Sequence, residues 1–126
     1  MSTKLHDVAN QTLLSAAVSP QTLTASANGS AIDMISADGA CFCIQQVGAV
    51  SGTSPTLAGK IQESADGSTG WADISGAAFT TVTASTNTQV ISFERTKRYL
   101  RHVATIAGTN PSYAVAVVIG EQKKQV

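Results

Sequence analysis

The sequence predicts an all-β domain, and three observations carry that prediction. Turn-forming residues recur at short intervals: Pro20, Asn28-Gly29, Asp38-Gly39, residues 52–55, Asp66-Gly67, Gly76 and residues 108–111. The segments between them alternate in polarity or are rich in β-branched residues, whose stiff side chains suit a pleated surface. Only residues 8–17 carry a helical pattern, and their Ser/Thr content ahead of Val18-Ser19-Pro20 fits a strand or extended arm equally well.

Taken in order, residues 41–47 set Phe42, Ile44 and Gln46 against Cys41, Cys43, Gln45 and Val47. Residues 60–63 form a short alternating run, and Asp66-Gly67 reads as a hairpin tip joining it to a strand near residues 71–74. Residues 80–83 and 89–93 supply two further runs, and residues 98–106 another. Residues 113–119 are the most apolar, with Tyr113, Val115, Val117 and Ile119 on one face and Ala114, Ala116 and Val118 on the other. That pattern fits a central strand with its second face under a thin covering or a neighbouring subunit. The expectation is a single β-sandwich or barrel of seven to nine strands, jelly-roll-like or immunoglobulin-like. Residues 1–12 read as an extended N-terminal arm, either plainly disordered or ordered only on a partner, 13–120 as the domain, and 121–126 as a polar C-terminal tail.

The chain has 126 residues, 12.9 kDa, 43% of them hydrophobic and 13% charged. One domain of this size buries roughly two-thirds of its unfolded surface. The aliphatic content argues against wholesale disorder. No apolar run approaches membrane-spanning length, and the N-terminus lacks the basic head and apolar core of a signal peptide. Formal net charge is zero, but residues 1–94 carry about −5 and residues 95–126 about +5. Two consequences are open: neutralisation within the fold, or complementary patches on neighbouring subunits.

Cys41 and Cys43 project to the same face of a strand, poor geometry for a mutual disulfide. They read as small buried hydrophobes. A Cys-x-Cys zinc site would need further ligands, and only His6 and His102 are on offer, so no metal or other cofactor is expected.

Nor do the residues assemble a catalytic motif. Residues 48–52 approach a nucleophile elbow but misplace Ser51 by one position. His102 falls inside a strand, as a structural or interface histidine. Residues 66–70 are Gly-rich, yet no lysine follows in P-loop register, and the intervening glycine departs from the aspartic-protease pattern. Glu63, Asp66 and Asp73 sit where turns and sheet rims collect acids, without the oxygen-rich spacing of a calcium loop.

Arg95, Lys97, Arg98 and Arg101 place four bases in seven residues, with Tyr99 among them. On a strand the bases divide between two faces, which is unlike a nucleic-acid stripe, so no nucleic-acid partner is expected. Salt bridges and interface contacts fit better, arginine being suited to bidentate pairing with carboxylates. These four residues, Tyr99 and Trp71 are the candidate partner contacts. Trp71 beside Asp73 is also the one candidate platform for a sugar.

Four segments occur in a telling order: Asn28-Gly29-Ser30-Ala31-Ile32-Asp33, then residues 59–71 (GKIQESADGSTGW), then Thr96-Lys97-Arg98-Tyr99-Leu100-Arg101, then residues 113–120 (YAVAVVIG). Together they resemble a family of small virion proteins of tailed bacteriophages. Members share an N-G-x-A-I-D turn, a Q-E-S-x-D-G-S-T hairpin, a K-R-Y-x-R strand and a closing Val-rich strand that ends in glycine. Cys41-Phe42-Cys43 departs from the aliphatics usual there. The resemblance implies a non-enzymatic structural protein, a capsid decoration (cement) protein made in the host bacterial cytoplasm and mounted on the capsid exterior. Its implied partners are the major capsid protein and copies of itself, a homotrimer in particular, with no membrane. A head–tail connector or tail component, or a carbohydrate-binding β-sandwich, are the alternatives. No catalytic residue transfers from the family.

Overall fold

The structure, a computed structural model, describes residues 12–123. Seven strands follow one another: β1 (Thr12–Leu23), β2 (Ala27–Asn28), β3 (Ile32–Asp33), β4 (Ala37–Ser64), β5 (Ala72–Ala78), β6 (Asn87–Glu94) and β7 (Tyr99–Lys123). Every pairing is antiparallel. Of the expected arm, residues 1–11 lie outside the described residues, and Thr12 opens β1. The ambiguous stretch before Pro20 is thus strand from Thr12 onward.

Two strands are much longer than the sequence outlines. β4 contains both the 41–47 and 60–63 runs, and β7 both the 98–106 and 113–119 runs. The turn signals at 52–55 and 108–111, expected to be loops, lie opposite one another inside this paired ribbon, with Thr53 against Thr109. They act as bulges. Gly52 and Gly108 have φ of 112° and 116°, and Ser54 and Asn110 have φ of 49° and 50°. The two backbones also approach closely there: a Cβ on Gly108 would stand 2.8 Å from the Ser54 carbonyl oxygen. Glycine therefore lets both strands bend together without ending their ladder.

The bend folds one hydrogen-bonded sheet into two layers. In the first, β1 pairs with the C-terminal half of β7, that half with the N-terminal half of β4, and that with β6. In the second, β2 and β3 pair with the N-terminal half of β7, that half with the C-terminal half of β4, and that with β5. This is an all-β sandwich with the strand order of a jelly roll.

Three local expectations change. Residues 80–83 form no strand: only Val82 pairs, through a bridge to Leu57 with bonds of 2.9 and 3.0 Å. Asp38-Gly39 lies inside β4, and the turn falls just before it, at residues 35–36. The polar end beginning at Glu121 is not a tail at first, because β7 runs to Lys123 and Glu121 is fully buried.

Side chains from both layers share one core. Cys43, Val47, Val117 and Ile119 from the first meet Leu57, Ile61 and Leu100 from the second, all fully buried. Tyr113 is buried with them, its hydroxyl donating to the Val82 carbonyl at 2.7 Å. In β7 the inward positions change from even (Leu100, His102, Ala104) to odd (Tyr113 to Ile119) across the bulged bend. The step from Ala104 to Tyr113 is an odd number of positions, so the pleat shifts there and both halves face the same interior.

Candidate interaction surface

Three of the four segments singled out in the sequence close on one another at one end of the second layer. Asp33, at the end of β3, receives Arg98 through two parallel bonds, Nε to Oδ1 at 2.8 Å and Nη2 to Oδ2 at 2.7 Å. Glu63, near the end of β4, accepts the backbone N–H groups of Thr96 and Lys97 at 2.8 and 3.1 Å and the Thr96 hydroxyl at 3.0 Å. The Tyr99 ring lies against Gly67, where a Cβ would come within 3.0 Å of it. The Arg101 guanidinium stacks over the Trp71 ring at 4.4 Å and donates to Gln62 Oε1 from Nε and Nη2. Acids of the first part of the chain thus meet the basic segment of the second within the fold.

The 65–71 loop is locally self-supporting. The Asp66 carboxylate accepts the N–H groups of Thr69 and Ser68 and the Thr69 hydroxyl, which hold its pKa well below the ordinary carboxylate value. Turn chemistry accounts for this Gly-rich stretch. Gln62 links Arg101 onward to Asp73, which also pairs with Lys60; the Gln62 amide, then Lys60, keeps Asp73 ionised to lower pH than usual.

The six candidate contact residues do not form a single patch. Trp71, Arg98, Tyr99 and Arg101 gather at this end, with Arg98 exposed and also 5.2 Å from the Tyr99 ring centre. Lys97 is half-buried beside them. Arg95 is turned inward. Its Nε donates to the buried Glu121 carboxylate at 2.7 Å, its Nη1 to the Lys97 carbonyl, and its Nη2 to the carbonyls of Met34 and Ala37. A side chain bonded on every nitrogen, and 13% exposed, is structural. As for Trp71, Arg101 occupies one face of the ring that a sugar would need.

Elsewhere the titratable groups are buried apart. Cys41 and Cys43 are free thiols, 5% and 0% exposed, and burial pushes both pKa values up. The Cys41 thiol donates to Glu121, the carboxylate that Arg95 also holds. His102 lies in the core against Gln45. Among the described residues, no three His, Cys, Asp or Glu side chains are grouped to hold a metal ion, and no helix is long and apolar enough to cross a membrane.

The sequence also hid a second surface. On the outer side of the first layer, register aligns Ala16, Val118, Ile44 and Val90 across four strands in one row. The adjoining row is Leu14, Gly120, Phe42 and Ser92, the Phe42 ring filling the space above Gly120. Leu14 is 65% exposed and Val90 62%. The 41–47 and 113–119 alternations signalled the two central strands of this face. Its breadth depends on pairing partners that alternation does not specify.

No family model matches the chain, and no curated protein matches it.

Proposed function

We propose that this chain is a non-enzymatic structural protein of tailed-bacteriophage virions, a capsid decoration protein that binds the outer coat lattice as a symmetric homo-oligomer. The observation that carries the reading is the convergence just described. Three segments on which the resemblance rests are far apart in sequence, yet Asp33 with Arg98, Glu63 with residues 96–97, Gly67 with Tyr99 and Trp71 with Arg101 join them into one unit. Shared composition would give no reason for such mutual contacts.

In this role many modest contacts gain strength from multivalency. Arg98 and Arg101, on the surface at the converged end, are the residues through which coat protein is met, with a homotrimer the assembly that the resemblance implies. The deciding measurement is the molar ratio of this chain to major coat protein in purified virions. A ratio near one, or a simple fraction of it, is expected. A few per cent would reassign the chain to the connector or tail, and absence from particles would overturn the reading. Charge reversal of Arg98 and Arg101 together should weaken capsid binding; unchanged binding would remove these residues from the interface.

A further inference from the structure

The outer face of the first layer combines breadth, exposed apolar side chains and absence of charge. Across its two central rows no ionisable residue occurs; the nearest on the paired strands is Glu94, opposite Ala40 at the rim. The outer side of the second layer has the opposite character, carrying Lys60 and Arg101. An apolar patch rimmed by polar groups marks a protein contact surface.

We infer that a second copy of this chain covers this face. Size is the first argument. Four strands about 4.8 Å apart, with rows about 7 Å apart along them from Thr12 to Ala114, present roughly 500 Å², a span whose Thr12 end includes the rim residue Glu94. Two such surfaces in contact remove about 1,000 Å² from water, the lower bound for a biological interface and above the size of most chance contacts. Shape is the second. Leu14 and Val90 stand out near its opposite edges, while a shallow groove between β1, β4 and β7 is floored by Gly48, Ala114 and Ala116. Knobs and hollow on one surface are what self-association under symmetry requires. Charge is the third: an uncharged face calls for an uncharged complement, and this one supplies its own. Residues 1–11 bring Lys4, His6 and Asp7, a poor match for it. The inference rests on the homo-oligomer of the proposed function and assigns its contact face; whether the chain is part of virions is decided separately by the molar ratio to coat protein.

Sedimentation equilibrium of the full chain, alone in solution, tests it. The wild type should form a discrete oligomer. Leu14→Lys and Val90→Lys change exposed residues and should leave the far-UV circular dichroism intact while weakening association about 100-fold each, since each places a charge in the contact. Thr105→Lys, exposed on the second layer, serves as the control and should associate like the wild type. A monomeric wild type would overturn the inference, as would an oligomer that both face variants leave intact. So would a monomer that begins to associate when residues 2–11 are deleted, because the chain's own N-terminal segment would then be the occupant.

Discussion

His102 and Gln45 meet across the interior, Nε2 to Oε1 at 2.9 Å, one from each layer and 57 residues apart. Both are buried, and His102 Nδ1 and Gln45 Nε2 have no further hydrogen-bond partner among the described residues. The contact ties the two halves of the sandwich through a buried polar bond, with the Phe79 ring tilted against His102 at 6.1 Å.

This pair makes stability depend on pH. Burial lowers the His102 pKa from 6.5 to about 4. Between those values the unfolded chain takes up a proton that the folded chain refuses, so stability falls as pH drops through the window and is unaffected above it. The loss should total on the order of 3 kcal/mol by pH 4. Asp33 and Asp73 have lowered pKa values, so their contributions are lost only below the carboxylate value of 3.8. Urea unfolding from pH 7.5 to 4 measures the first window, and a flat profile would sink the argument. The His102 ring resonances should titrate with a midpoint near 4.

Gly59→Ala should disrupt the same pair. A Cβ at this position would collide with Gln45 Oε1 and stand 2.8 Å from His102 Nε2. Overpacking plus an orphaned polar group should lower stability by about 2–4 kcal/mol. The denaturant midpoint reads this directly, and a cost within error would mean that Gln45 moves aside freely.

Arginines only three positions apart should behave differently. Arg95→Ala leaves the Glu121 carboxylate buried without its cation and should cost about 3–5 kcal/mol. Arg95→Lys should rescue little, since one ammonium cannot satisfy acceptors spread over three segments. Arg98→Ala breaks an exposed pair and should leave the thermal midpoint unchanged within error. Equal losses at the two positions would refute this division.

Neither thiol should react in the native state. Cys41 and Cys43 are buried with raised pKa values, so thiolate is scarce and access poor. Titration with an aromatic disulfide reagent should find no reactive thiol in buffer and both in denaturant. Rapid native modification would reveal opening of the first layer.

Much of the strand content was legible because strand periodicity is local. The faces of residues 41–47 and 113–119 follow directly from alternation, and the bases of residues 98–101 divide between two faces as that period requires. The basic segment was also readable as a source of salt bridges, and Arg98 pairs with Asp33 in two bonds as that reading expects. Arg95 was less legible. Its destination depends on Glu121, a residue that looks like part of a polar tail until β7 carries it into the core.

By itself, then, the sequence determined an all-β chain, the positions of most strand runs and which residues share a face, since each follows from neighbours one or two positions away. Only the tertiary structure decided that glycines at 52 and 108 bend a continuous ribbon instead of ending strands, because that depends on the two segments lying opposite each other. It also decided which face is inside. Pairing register, set between residues as much as 110 positions apart as in Thr12 with Gln122, buries His102 and Glu121 while leaving Leu14 and Val90 in the open. Alternation fixes two faces on a strand; long-range contacts choose between them.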